Sequence, residues 1–210
     1  MVIGLGRFGG AVSRTLERMG HEVLAVDIDP ALVQEFAGEL TKVVEADATD
    51  TTTLEQLGAK DFDAAVVGIG TNIEASVLIV LALSDLGLTN IWAKATNEKH
   101  ARILERTGAA HVVFPEQRMG ERVAHLINER LLDFIAFGDE FAIARLIAPE
   151  PLLGLPLVTS QCRKKYDVTV VGVKREGENF IHAVPDTIIF PGDELVVSGK
   201  IHDLEAFSAM

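Results

Sequence analysis

A short glycine motif near the start of the chain constrains the fold more than any other feature. The apolar residues Val2 and Ile3 precede it, a segment with helical spacing of apolar positions follows it, and the motif itself reads Gly4-Leu5-Gly6-Arg7-Phe8-Gly9. In a strand–loop–helix unit, the first glycine permits a tight turn and the second lets a phosphate approach the backbone. The third lets the helix pack against the strand. The motif therefore predicts a nucleotide phosphate at the N-terminus of a helix.

A second apolar run ends at an acidic residue that agrees with this prediction. The run Val23 to Val26 is followed by Asp27, then by Ile28 and Asp29. In this type of fold, a carboxylate at the end of the second strand accepts hydrogen bonds from ribose hydroxyls. The alternative interpretation is that Asp27 caps the turn before Pro30. We include residues 27–29 in the predicted site.

Apolar runs alternate with helical patterns along the first half of the chain. Strands are predicted at Val2–Gly4, Glu22–Val26, Lys42–Glu45, Ala64–Gly68, Asn90–Lys94 and His111–Phe114. Helices are predicted at Gly9–Met19, Ala31–Leu40, Thr51–Leu57, Ile73–Leu86 and Asn97–Arg106. This alternation indicates an α/β fold with a Rossmann-like, doubly wound parallel sheet. We assign residues 1–118 to such a nucleotide-binding domain.

The pattern changes after Phe114, where Pro115 and Glu116 end the last predicted strand. Apolar positions between residues 119 and 137 predict one or two connecting or dimerisation helices, because they form a wider face than packing on one sheet requires. Residues 138–210 predict a smaller α+β C-terminal domain. Its expected elements are strands at Glu140–Leu146, Thr169–Lys174, Asn179–Ala183 and Glu194–Ser198 and a helix at Pro156–Tyr166.

The composition of the chain limits the kinds of partner and the cellular compartment that we expect. The 210 residues carry a net charge of −12, which argues against nucleic acid or an anionic membrane surface as the main partner. The apolar run from Ala75 to Leu83 is far shorter than the roughly 20 residues that span a bilayer, so direct lipid insertion is not expected. No secretory leader opens the sequence, and the single Cys162 excludes an intrachain disulfide. We therefore expect a cytoplasmic protein.

The groups that an oxidoreductase would need are not evident. The only tyrosine, Tyr166, has no lysine four residues later, and the six histidines are scattered without metal-ligand spacing. The segment Gly192 to Lys200 differs from a P-loop because six residues separate Gly192 from Gly199. We therefore expect no catalytic residues and no enzymatic activity. A small NAD-dependent oxidoreductase or an NAD(H)-binding redox sensor is the alternative.

Further motifs extend the likeness beyond the glycines. They are Val44-Glu45-Ala46-Asp47-Ala48-Thr49, Gly68-Ile69-Gly70-Thr71-Asn72, Asn90-Ile91-Trp92-Ala93-Lys94-Ala95, Phe114-Pro115-Glu116, Lys165-Tyr166-Asp167, Val173-Lys174-Arg175 and Pro191-Gly192-Asp193-Glu194-Leu195-Val196-Val197. With the first motif, they resemble the regulatory subunits of Ktr/Trk potassium uptake systems, the RCK family, over almost the full chain. The resemblance implies homodimers assembled into a cytosolic octameric ring on an integral-membrane potassium-translocating subunit. It also implies that ATP and ADP favour different ring shapes and so gate potassium flow.

Several residues acquire expected roles from the motifs. Arg7 would bind a terminal phosphate, which the resemblance assigns to the neighbouring subunit; the alternative is a solvent-exposed arginine. Asp47, Ala48 and Thr49 would flank the base, although Asp47 could equally cap the next helix. Gly70, Thr71, Asn72 and Lys94 lie at the same carboxyl edge of the predicted sheet. Lys94 is expected to be either a phosphate partner or an interface charge.

The resemblance implies two further ligands. Glu116 matches a family position associated with Mg²⁺ or Ca²⁺ near the dimer interface, where a second ligand would come from the symmetry mate or from phosphate oxygens. The alternative for Glu116 is a place at the start of the next helix. Related C-terminal domains bind cyclic di-AMP, so Arg175, His182 and Pro185 are candidates for such a site. NAD(H) remains the alternative to ATP or ADP, because the same carboxylate accepts the ribose of each.

Overall fold

The chain divides into two compact units. A computed structural model describes residues 1–127, 131–138 and 140–210. The first unit comprises Met1–Glu116 and the second Gln117–Met210. Within these described residues, no helix is both long enough and apolar enough to cross a membrane.

The first unit is a parallel sheet with helices on both faces. Its strands are β1 (Val2–Ile3), β2 (Leu24–Asp27), β3 (Lys42–Glu45), β4 (Ala65–Val67), β5 (Ile91–Lys94) and β6 (His111–Val113). Its helices are α1 (Arg7–Arg18), α2 (Pro30–Phe36), α3 (Thr51–Gln56), α4 (Ile73–Asp85) and α5 (Glu98–Thr107). The strand order is β3-β2-β1-β4-β5-β6, with every neighbouring pair parallel. This arrangement confirms the predicted Rossmann-like fold.

Alternate residues of the central strands face two different cores. Val2 and Ala25 are buried in a cluster with Phe36 of α2, whereas Ile3 and Val26 are buried in a cluster with residues of α3, α4 and α5. Because successive side chains of a strand point to opposite faces, two helical layers cover this sheet.

Short polar side chains start the helices that follow the strands. Helices α2, α3, α4 and α5 begin after a residue whose side chain accepts a backbone N–H of the first turn: Asp29, Asp50, Asn72 and Asn97. These caps satisfy N–H groups that have no acceptor within the helix. Helix α1 follows Gly6 and has no side-chain cap among the described residues.

The second unit is built on an antiparallel sheet. Helix α6 (Pro115–Leu126) enters it, and its strands are β7 (Leu131–Phe137), β8 (Phe141–Ile147), β9 (Thr169–Lys174), β10 (Ile181–His182) and β11 (Glu194–Lys200). The remaining helices are α7 (Leu157–Ser160), α8 (Cys162–Tyr166) and α9 (Ile201–Ser208). The strand order is β10-β9-β11-β8-β7. The predicted α+β character of this part of the chain is confirmed.

Two local predictions in this region were wrong, and one helix was missed. Part of the segment predicted as helix is strand β7, which pairs with β8, and residues 128–130 lie outside the described residues. The helix predicted from Pro156 to Tyr166 is two helices, separated at Gln161, whose φ is +52°. The C-terminal helix α9 was not predicted at all.

Candidate functional site

A cleft lies at the carboxyl edge of the parallel sheet, where ligands bind in doubly wound folds. Its volume is about 850 Å³. The lining includes fourteen of the seventeen residues that the sequence predicts for the nucleotide site: Gly4, Gly6, Arg7, Phe8, Asp27, Ile28, Asp47, Ala48, Thr49, Gly70, Thr71, Asn72, Lys94 and Glu116. Of the other three, Leu5 and Asp29 donate their backbone N–H groups to Asp27, and Gly9 lies against Gly4.

Two glycines of the Gly4–Gly9 motif could not be replaced without strain or a steric clash. Gly4 has φ +90°, a left-handed conformation that favours glycine. A Cβ on Gly9 would lie 1.8 Å from the carbonyl oxygen of Gly4, so any side chain at this position would push helix α1 away from the sheet. These two glycines therefore have the turn and packing roles that the motif predicts.

The remaining glycine of the motif faces open space. A Cβ on Gly6 would meet no protein atom within 4 Å, so the room in front of it is free for a ligand. Gly6 also immediately precedes α1, whose first backbone N–H groups have no acceptor within the helix. Arg7 is exposed at this same end. Uncapped N–H groups, the helix dipole and a guanidinium together favour an anion here.

Asp27 is held from both sides by backbone donors. Its Oδ2 accepts from the N–H of Leu5 at 2.6 Å, and its Oδ1 accepts from the N–H of Asp29 at 2.9 Å. Each carboxylate oxygen keeps lone pairs for further donors. Asp29 itself caps α2 by accepting from the N–H of Ala31. Asp27 therefore has both arrangements considered from the sequence: it closes the turn and it faces the cleft.

Asp47 does not cap the next helix. Its Oδ1 accepts from both the backbone N–H and the hydroxyl of Thr49, at 2.9 and 2.7 Å. These bonds, the one from the Thr49 hydroxyl first, lower the pKa of the Asp47 carboxyl. The helix cap is Asp50. The alternative in which Asp47 is the N-cap was therefore wrong, and its carboxylate stays at the edge of the cleft.

Lys94 and Glu116 form an ion pair across the cleft wall. The Nζ of Lys94 lies 2.5 Å from Oε1 of Glu116. The hydrogen bond from Lys94 is the largest cause that lowers the pKa of Glu116, and the charge of Arg7 adds to it. Glu116 is also in the first turn of α6, the alternative considered for it. Among the described residues, no group of three or more His, Cys, Asp or Glu is arranged to hold a metal ion.

The residues considered for a cyclic dinucleotide have separate surroundings. Arg175 is engaged with Asp193 through two hydrogen bonds, of 2.8 and 3.0 Å, and stacks on Phe190. His182 is exposed, and its ring is nearly perpendicular to that of Phe180. Pro185 borders a separate cavity of about 420 Å³ that neither Arg175 nor His182 lines. Binding of a cyclic dinucleotide stays a prediction, and two of the five N–H donors of Arg175 are already used on Asp193.

Comparison with known proteins identifies the family. The TrkA-N domain matches residues 1–115, and the TrkA-C domain matches residues 141–210. The Ktr system potassium uptake protein A of Bacillus subtilis is 41% identical over 207 residues, which is 98% of this chain and 93% of the relative. This chain belongs to the Ktr/Trk family. The Ktr protein A of Vibrio alginolyticus is 37% identical, over 94% of this chain and 90% of its own length.

Solved structures agree on the fold of this Ktr/Trk chain. The GsuK channel bound to NAD has a TM-score of 0.64 and 21% identity, over 98% of this chain and 38% of the channel. The GsuK structure bound to ADP has a TM-score of 0.51 and 20% identity, over 60% of this chain and 33% of that one. The chain therefore spans less than half of the GsuK chains it matches, and the likeness supports the shared fold.

Sequence reasoning missed several residues that line the cleft in this Ktr/Trk member. The most informative are Glu74 and Leu78 on α4 and Thr96 after β5. Glu74 is in the first turn of α4, and Thr96 follows the end of β5. Their signal was positional: the start of a helix after a strand lies at the same edge as the strand end.

Proposed function

We propose that this chain is a cytosolic regulatory subunit that binds ATP or ADP and gates a separate, potassium-translocating membrane subunit. The observation that carries the proposal is the cleft, which joins the anchored carboxylate of Asp27 to the uncapped start of α1. The names of the Bacillus and Vibrio relatives, Ktr system potassium uptake proteins, support the transport role.

Each side of the cleft suits one part of a nucleotide. The carboxylate of Asp27 accepts hydrogen bonds from the ribose hydroxyls. The α1 N-terminus and Gly6 receive the phosphates, with Arg7 and Lys94 as cations. Residues 47–49 lie beside the base. Among the described residues of one chain, no set of acidic or histidine side chains forms a divalent-cation site, and Glu116 is paired with Lys94.

The gating step follows from the difference of one phosphate. The chain forms homodimers that assemble into an octameric ring, and Arg7 contacts the terminal phosphate of ATP across the subunit boundary. A contact made with ATP but lost with ADP biases the ring toward one shape. A difference of about 1.4 kcal/mol in binding free energy changes the ratio of the two shapes tenfold. The ring lies at the inner face of the membrane through its contact with the translocating subunit.

Calorimetric titration tests the proposal. Purified chain is titrated with ATP, ADP and NADH in the presence of Mg²⁺, and the series is repeated with Arg7→Ala. The matched control is Arg18→Ala, at the opposite end of α1, where the guanidinium contacts Thr15. The expected result is binding of ATP and ADP, loss of the preference for ATP in Arg7→Ala, and no change in Arg18→Ala. If neither ATP nor ADP binds, the proposal is overturned.

The second candidate is an NAD(H)-binding redox sensor or small oxidoreductase. One observation favours it: Asp27 presents the same carboxylate to the ribose of any adenine nucleotide, and GsuK, which shares the fold, has been solved with NAD and with ADP. If only NADH binds and Arg7→Ala changes nothing, this candidate replaces the first. Hydride transfer that Gly6→Val abolishes would make it an enzyme.

A further inference from the structure

The end of the Lys94 side chain passes close to Gly70. A Cβ on Gly70 would lie 3.0 Å from Cε and 3.2 Å from Nζ of Lys94. The Lys94 side chain is only 14% exposed, whereas the Glu116 side chain is 63% exposed. The ammonium is therefore the fixed member of the pair, and it is fixed at the wall of the cleft.

The pair lies at the phosphate end of the cleft. Arg7, which begins α1 beside the phosphate loop, is close enough for its charge to act on Glu116. The acidic side chains that line the cleft are those of Asp27, Asp47, Glu74 and Glu116, against the cations Arg7 and Lys94. A ligand with several phosphates therefore adds negative charge where the cleft already has an excess of it.

The described residues of one chain do not form a metal site. The carboxylate of Glu116, to which the family resemblance assigns a metal, is instead paired with the ammonium of Lys94. We infer that the Lys94–Glu116 pair is a charge gate: Lys94 is the built-in counter-ion of Glu116, and a terminal phosphate must compete with Glu116 for the ammonium. The inference rests on the proposed binding of a nucleotide in this cleft. Glu116 then sets how strongly the cleft distinguishes ligands by their number of phosphates.

Substitutions of Glu116 and of Lys94 should change the affinity for phosphate-rich ligands in opposite directions. Removing the charge of Glu116 releases the ammonium of Lys94 and removes a repulsion, so phosphate-rich ligands bind more tightly. Removing Lys94 leaves Glu116 without its counter-ion beside the phosphates, so the same ligands bind more weakly. Adenosine, which has no phosphate, is indifferent to both changes.

The test is calorimetric titration of the full chain with adenosine, ADP and ATP in EDTA, so that no divalent cation is present. The variants are Glu116→Gln, Lys94→Met and the double substitution. The control is Glu194→Gln, whose carboxylate pairs with Arg145 at 3.4 Å in the second unit. We expect Glu116→Gln to raise the affinity for ATP about tenfold, the effect of about 1.4 kcal/mol, and Lys94→Met to lower it.

The double variant separates a charge gate from two independent effects. With Lys94 absent, Glu116→Gln no longer releases an ammonium, so its gain in ATP affinity should shrink. Adenosine affinity should be the same in all variants, which also reports that the cleft is intact. The charge gate is overturned if Glu116→Gln leaves the ATP affinity unchanged, or if the adenosine affinity changes in parallel with the ATP affinity. Neither result contradicts the proposed function. Wild-type chain that binds none of the three ligands overturns both this inference and the proposed function.

Discussion

At the scale of single residues, the carboxylate of Asp193 is the clearest case of a buried charge with a full set of partners. Asp193 is 1% exposed and accepts from Nε and Nη2 of Arg175 and from the N–H of Phe190. The hydrogen bonds from Arg175 are the largest cause that lowers the pKa of Asp193. A buried charge that loses its partner destabilises a fold more than an exposed one does.

We therefore expect Asp193→Asn to lower the free energy of unfolding of the second unit by about 2 kcal/mol, because the amide nitrogen of asparagine cannot accept a hydrogen bond and a donor of Arg175 or Phe190 loses its buried acceptor. The folded-state pKa of Asp193 is lowered, so its contribution is complete above the ordinary aspartate pKa of about 3.9 and is lost as the pH falls below that value. Urea unfolding of both proteins at pH 7 and pH 3 measures this. Equal stabilities at pH 7 would contradict it, and Glu178→Gln, beside the same arginine, is the control.

The same residues mark what could be predicted from the sequence at this scale. The roles of Gly4, Gly9 and Asp27 follow from local spacing, because all three act within one strand–loop–helix unit. The pairing of Lys94 with Glu116 does not, because it depends on the space left over Gly70 by a different strand end. Arg175 was predicted to bind a ligand because its actual partner, Asp193, is eighteen residues away in the sequence. The residues next to Arg175 in the sequence do not indicate this pairing.

At the scale of elements, strand β7 explains why a strand was predicted as a helix. Its register shifts between Leu131 and Asp133, which pair with the consecutive residues Leu146 and Arg145. This bulge places Leu131 and Phe134, three residues apart, in the same core. Apolar residues three and four apart indicate a helix when no partner strand is known. The six parallel strands were predictable because their apolar runs pair without such an irregularity.

Helices α4 and α5 pack against each other and still expose apolar side chains. Leu81 is 41% exposed and Ile103 is 45% exposed. If these faces join subunits in a ring, Leu81→Glu with Ile103→Glu should reduce the assembled mass measured by light scattering, because a buried unpaired charge is costly. Met19→Glu, at a position that is 67% exposed beyond α1, should leave the mass unchanged. A ring that survives the double substitution with native circular dichroism would exclude these faces as the contact.

At the scale of the whole molecule, two units with separate cores predict two linked but distinguishable responses. The predicted nucleotide site lies wholly within Met1–Glu116, whereas the Arg175–Asp193 pair lies in Gln117–Met210. Chains with several domains need not unfold in one transition. A ligand that binds only the folded first unit stabilises that unit, by about 2.7 kcal/mol at a free concentration of 100 times Kd.

We therefore expect two transitions in scanning calorimetry. Saturating ATP should raise the Tm of one transition, and Asp193→Asn should lower the Tm of the other, since each change acts on one core. In a chain that carries both changes, the two shifts should add, because sites without shared partners contribute independently. A single transition whose Tm changes with both ATP and Asp193→Asn would instead mean that the two cores unfold as one cooperative unit. Ligand binding in the cleft would then also stabilise the C-terminal sheet.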